Sequence, residues 1–269
     1  MRVLKVAATI GVAASCNVAG AQALSNRTTT GFDLGVALSS YRYEEDVNDS
    51  YFMSLDGKKL AAVGKYTRTF ASQMFWNVDG RFANGALDYD SASSGSKSGN
   101  PDWYVEFRGT IGRDFIGGNQ VLAPYAGLGM RYLMNDFRGQ TTTGAAGYRR
   151  SSTYIYLPLG LTHRFGVDAG GRIATTLEYD ALLVGTQRSY MTDINGYTSD
   201  LVNTQRNGHG LRFNVAYERA GWSITAFWQT WDIDKSDTAY FTSNNALYSG
   251  YEPHNTTREV GVQMKWRIL

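Results

Sequence analysis

Hydrophobic and polar residues alternate with a period of two in ten separate stretches of the chain: 31–43, 58–70, 74–84, 102–112, 121–134, 153–165, 172–183, 210–218, 222–233 and 259–269. Successive side chains of a β-strand point to opposite faces, so each stretch predicts a strand with one apolar face. In the first, Phe32, Leu34, Val36 and Leu38 oppose Asp33, Gly35, Ala37 and Ser39. In the fourth, Trp103, Val105, Phe107 and Ile111 oppose Tyr104, Glu106, Arg108 and Thr110. A helix would scatter charges spaced two apart around its circumference, so these stretches do not read as helices. Pro124 and Pro158 fall inside the fifth and sixth strands; proline cannot donate to a ladder, so each predicts a bulge or a gap in pairing.

The connections between these strands alternate in length. Short turns at 71–73, 116–119, 166–171 and 219–221 separate longer polar stretches near 44–57, 85–101, 135–152, 184–209 and 234–257. An even number of antiparallel strands with short turns at one end and long loops at the other predicts an all-β fold. The layout predicts a single transmembrane up-and-down antiparallel β-barrel of about ten strands, with short periplasmic turns and long extracellular loops. No linker-like composition interrupts residues 24–269, which are therefore expected to form one barrel domain.

Charge and aromatic placement favour lipid over a protein core outside the apolar faces. The polar faces carry Asp33, Lys65, Asp79, Arg81, Glu106, Arg108, Arg131, Arg164, Glu178, Asp180, Arg212, Glu218, Glu259, Lys265 and Arg267, with both signs present. In a narrow barrel such residues predict a lumen filled by mutually paired charges, because an unpaired ion in a confined space is costly. Phe70, Trp76, Phe165, Tyr217, Trp222 and Trp266 lie near the short turns or the terminus and, with Trp103, predict an interfacial aromatic girdle.

The first 23 residues combine Arg2 and Lys5, an apolar run from Val6 to Ala14 and the small-residue site Ala21-Gln22-Ala23. That is the layout of a cleaved secretory signal peptide. Cys16, the one cysteine, lies within it, so no disulfide is expected in residues 24–269. Without Arg2 and Lys5, 24 of the 26 basic residues remain against 24 acidic ones, which argues against a nucleic-acid partner. No later stretch approaches the roughly 18 consecutive apolar residues of a membrane helix.

On these features the chain resembles Gram-negative outer-membrane β-barrels over Gly31 to Leu269, with the ten strands of omptin and Opc-like barrels. The resemblance implies an outer-membrane location, contact with membrane lipid and lipopolysaccharide, and delivery by the barrel-assembly machinery through the C-terminal strand. Such barrels usually end on a lipid-phase aromatic; here the apolar phase ends at Ile268 and the last residue is Leu269. Either one extra residue is tolerated or the register is shifted.

Omptin-like proteases carry two aspartates one residue apart at a strand rim and an Asp-x-His element across the mouth. Asp88-Tyr89-Asp90 resembles the first element. His209 follows Asn207-Gly208, so the carboxylate that would orient it is absent. We therefore expect no enzyme, with Asp88, Asp90 and His209 as weak catalytic candidates only. No phosphate-binding loop, dinucleotide fingerprint or zinc spacing occurs, and the acids at Asp232, Asp234 and Asp237 lack the glycine and terminal glutamate of a calcium loop. No cofactor and no metal are expected. The loops are rich in Tyr, Asn, Thr, Ser and Gly, a composition suited to adhesion or an extracellular ligand. A narrow porin-like channel and a rim hydrolase are the alternatives.

Overall fold

The computed structural model describes residues 25–269 apart from residue 169; the expected signal segment and Cys16 lie outside the described residues. The strands are β1 (Gly31–Val47), β2 (Ser50–Thr69), β3 (Met74–Ser91), β4 (Gly95–Arg113), β5 (Phe115–Gly117), β6 (Gln120–Gln140) and β7 (Ala146–Asp168). They continue as β8 (Gly171–Ser189), β9 (Leu201–Gln205), β10 (Gly208–Glu218), β11 (Trp222–Ile233), β12 (Ala239–Ser243), β13 (Ala246–Gly250) and β14 (His254–Arg267). Ten of them, all but β5, β9, β12 and β13, pair antiparallel in chain order, and β1 pairs with β14 to close the ring. Closure removes the open sheet edges, whose unpaired amides and carbonyls lipid could not satisfy.

The exterior carries an apolar band. On β8, Ile173, Leu177, Tyr179 and Leu183 face out, a run of ten residue steps, or about 25 Å along the axis at a tilt of ~40°. That height suits the hydrocarbon core of an outer membrane. The register at the last strand is unshifted: Ile268 donates to the Phe32 carbonyl at 2.8 Å and Phe32 to the Leu269 carbonyl at 3.1 Å. Trp266 and Ile268 stay on the lipid phase, and Leu269 adds one exposed residue past the strand.

Above the band the polarity of the wall inverts. On β1 the outward side turns from Leu34, Val36 and Leu38 to Ser40, Arg42 and Glu44, while the inward side gains the buried Tyr41. Tyr41, Met53, Leu55 and Leu87 then form an apolar core inside the barrel, flanked by Tyr43, Tyr89, Leu133 and Phe137. A search for one constant apolar face ends where this inversion begins. The strands consequently run further than the sequence pattern indicates, and most of 44–57, 85–101 and 135–152 is paired strand. β1 and β2 meet in a two-residue turn, Asn48-Asp49, with both φ values positive as a type I′ turn requires. β1 continues nine residues past Leu38, about 23 Å along a tilted axis, so the barrel stands clear of the band. Longer excursions remain after β8, and after β11, where β12 and β13 form a separate hairpin.

Pro158 produces a gap: the β6–β7 ladder runs from Ala126↔Leu159 to Gly129↔Tyr156 and skips the residues between. At Pro124 the β7 side of the ladder is unbroken, with Pro124 opposite Leu161, but the other side has the gap: pairing stops at Gly112↔Tyr125 and resumes at Phe115↔Leu122. Near the same height β8 carries a bulge, because Ile155 pairs with Val184 and Tyr156 with Leu182. One extra residue shifts the phase, so Leu182 and Gly185 both face inward.

The band makes a depth-dependent prediction. Leu177→Arg, at an outward position 61% exposed, should destabilise the barrel in liposomes by about 2–4 kcal/mol, and Thr186→Arg above the band by about 1 kcal/mol or less. Urea unfolding measures both; equal costs would mean that the band does not face lipid.

Candidate functional site: barrel interior and long-loop rim

The interior is layered, and its middle layer is an ionic lattice. Glu259 on β14 is completely buried, and its two oxygens accept four hydrogen bonds from four other strands. Ser39 Oγ (2.6 Å) and Arg81 Nη2 (2.9 Å) donate to Oε1; Tyr104 OH (2.8 Å) and Gln229 Nε2 (2.7 Å) donate to Oε2. Arg212 on β10 grips Glu106 on β4 with both terminal nitrogens (2.6 and 3.0 Å) and donates through Nε to Asp180 (2.6 Å). Arg108 joins Asp79 (2.8 Å) to Glu178 (2.5 Å). Charge-assisted and bidentate bonds of this kind are the strong ones, and they hold opposite walls together. Arg131 lies over the Tyr104 ring at 4.0 Å, and Lys59 pairs with Asp102. Glycines make room for the tyrosines: a Cβ on Gly129 would come 2.3 Å from the Tyr156 ring, which lies flat on that strand and donates to Glu106.

Both ends of the interior are covered. At the long-loop end Tyr154, Tyr156, Leu182, Trp231 and Ile233 pack into a core, with Tyr156 edge-on to Trp231 at 5.0 Å. Above it, Arg150 on β7 holds Glu45 of β1 (2.6 Å) and Glu252 of the β13–β14 connection. Burial pushes the Glu252 carboxyl up to about 8, with Arg150 opposing the rise and Glu45 adding to it. At the short-turn end residues 25–30 run beneath the opening as a strap. Thr28 donates to Asp114 through its amide (2.6 Å) and hydroxyl (2.8 Å), and Asn26 reaches the Asn119 carbonyl (3.0 Å). Arg172 on the far wall holds the carbonyls of Ser25 and Arg27.

The remaining residues singled out in the sequence fall as follows. Asp33 pairs with Arg267 (2.6 Å), Glu218 with Arg172 (2.6 Å), and Arg164 approaches Asp114 at 3.6 Å. Lys65 and Lys265 line a cavity in the short-turn half. Among the girdle aromatics, Trp76 packs on Tyr66, Tyr217 on Trp222 and Phe165 on His163, while Phe70 and Trp266 are exposed at the same end. Trp103 lies between Phe82 and Tyr132.

The weak catalytic candidates are not brought together. Asp88 and Asp90 share the outward phase of Val78 and Phe82, and they accept from the Gly99 amide (2.9 Å) and the Tyr51 hydroxyl (3.2 Å). His209 stacks on the outward Tyr179 at 5.6 Å. β3 and β10 stand five positions apart in a ring of ten, so these groups lie on opposite outer walls. One group of metal-ligating types does form: Asp232, Asp234 and His254 place one ligand atom each within 4.8 Å of one another. There His254 is hydrogen-bonded to Asp232 at 2.9 Å. Asp193 is held by Arg149 (2.7 Å), whose hydrogen bond keeps that carboxyl below its usual range, and Asp237 caps the Thr204 amide (2.7 Å).

Three elements have no signal in the alternation pattern: the strap, the Glu45–Arg150–Glu252 cluster and the β12–β13 hairpin. The hairpin turns at Asn244-Asn245, both with positive φ, and stacks Phe241 between Tyr197 and Tyr248. Tyr240 (66% exposed) and Leu247 (68%) stand out from it, with Tyr248 and Tyr251 also exposed.

No family model matches the sequence, and no curated protein matches it. Among solved structures, the outer membrane protease OmpT from Escherichia coli is similar with a TM-score of 0.58 at 12% identity, over 91% of this chain and 100% of that chain. The translocator domain of the autotransporter NalP from Neisseria meningitidis gives 0.40 at 12% identity, over 88% of each chain. Ail, the attachment invasion locus protein of Yersinia pestis, gives 0.30 at 12% identity, over 89% and 100%. The likeness to OmpT is one of fold: the chain is a closed ten-stranded barrel of the bacterial outer-membrane type.

Removing the Glu259 carboxylate leaves the partly buried Arg81 without its ion-pair partner and Tyr104 and Gln229 without their acceptor. Glu259→Ala is expected to cost about 3–5 kcal/mol, read as a lower midpoint in heat-dependent gel migration. Glu252 gives a pH prediction. Its raised pKa stabilises the fold below the unfolded carboxyl value, and that contribution is lost as pH rises through about 8. The midpoint of Glu252→Gln relative to wild type should therefore climb between pH 6 and pH 9, and a flat difference would contradict the assignment.

Proposed function

We propose that the chain is a non-enzymatic surface protein of the Gram-negative outer membrane that binds an extracellular ligand through its β12–β13 hairpin. The observation that carries this reading is the contrast between a filled interior and an unfilled loop surface. The ionic lattice, the aromatic core and the strap occupy the interior at successive heights, while Tyr240, Leu247, Tyr248 and Tyr251 stand exposed at the end away from the apolar band. Aromatic side chains of this kind supply large contact area at low entropy cost. OmpT is named as a protease, but the shared property is fold, and the candidate acids and imidazole of this chain face outward on opposite walls.

In this reading the apolar band meets membrane lipid, and lipopolysaccharide contacts the wall above it. The signal peptide directs secretion, and β14 presents the strand that the assembly machinery receives. Bacteria displaying the wild-type barrel should adhere to epithelial monolayers or matrix-coated surfaces above an empty-vector control. The triple change Tyr240→Ser, Leu247→Ser and Tyr248→Ser should remove that adherence while the gel shift of the folded barrel persists. Equal adherence by the variant would overturn the assignment to the hairpin.

A further inference from the structure

Between the ionic lattice and the strap the lumen is open, with a cavity of about 210 Å³. At ~30 Å³ per water it holds about seven waters, so a hydrated ion fits and a folded substrate does not. The carboxylates that line it are engaged: Asp79 and Glu178 with Arg108, Glu106 with Arg212, and Glu218 with Arg172. Lys65 and Lys265 are not. Among the described residues neither ammonium has a carboxylate oxygen within 4.0 Å or a hydrogen bond, and both line the cavity.

The backbone places the two lysines on either side of β1, Lys65 on β2 opposite Asp33 and Lys265 on β14 opposite Gly35. A Cβ on Gly35 would meet Lys265 Cγ at 2.8 Å, so the bare glycine lets the Lys265 stem lie across β1. The amides of Asn214 and Gln263 line the same space, also without a protein hydrogen bond among the described residues. Two like charges confined in a low-dielectric chamber, with unfilled donors around them, are complementary to an anion.

We propose that this chamber binds one small inorganic oxyanion of the phosphate class, coordinated by Lys65 and Lys265. A cation is disfavoured because the nearby carboxylates are already held by arginines. Tyr104, Tyr156 and Trp231 fill the lumen above, so the anion reaches the chamber from the short-turn side, around the strap.

The test is calorimetric titration of inorganic phosphate into the folded barrel in zwitterionic detergent, at constant ionic strength in chloride, with gel migration confirming folding. One saturable site per barrel is expected, with sulfate competing. Lys65→Met and Lys265→Met should each weaken binding about tenfold or more, and Lys58→Met on the outer wall should leave it unchanged. Should a methionine variant fail to fold, the single Lys65→Gln and Lys265→Gln changes carry the same expectation. Absence of saturable binding to the wild type, or an affinity unchanged by the lumen substitutions, overturns the proposal.

Discussion

A buried carboxylate that cannot reach water governs this barrel. Glu259 sits at the seam where the last strand meets the first, and it is stable as an ion only because Ser39, Arg81, Tyr104 and Gln229 bring donors to it from four other strands. Each of those residues must in turn face inward at the right height, which fixes the phase of β1, β3, β4 and β11. The alternation that turns Leu34, Phe82 and Val260 toward lipid is the same alternation that delivers charges to the interior. Lipid on one side and ion pairing on the other therefore select a single register, because a slip of one residue would exchange the two faces.

The barrel is built in two parts with opposite polarity. Within the band, apolar residues face out and charges face in; beyond it, Arg42, Glu44 and Asp56 face solvent while Tyr41, Met53 and Leu55 form an ordinary hydrophobic core. The extension thus supports itself as a soluble protein does, and it positions the β12–β13 hairpin away from the membrane surface. Glu252 anchors the base of that excursion to Arg150 inside the barrel, so the exposed aromatic residues are presented on a tethered element.

Much of the fold is legible in the alternation of the sequence because a membrane wall imposes it on every strand. The reading stops where the physics changes. Past Leu38 the apolar side passes from outside to inside, so a pattern tuned to one face stops at residue 43 and loses β1 four residues early. At Leu183 a bulge shifts the phase and ends the seventh segment, although β8 runs on to Ser189. Within the site, the sequence assigns Glu106 and Arg212 to polar faces, but nothing local pairs a residue of β4 with one of β10. That contact depends on barrel diameter and strand stagger, as does the crossing of the strap from β1 to Asp114. The distance between Asp88 and His209 is of the same kind: motif spacing suggested a rim constellation, and the outward phase of both strands separates it.

If the ionic lattice at mid-height and the aromatic core above it fill the lumen, the barrel has no through-passage for ions. Single-channel recording of the purified barrel in a planar bilayer tests this most directly. A filled lumen gives no stable conductance steps in concentrated salt for the wild-type protein; regular, long-lived openings would show that it conducts.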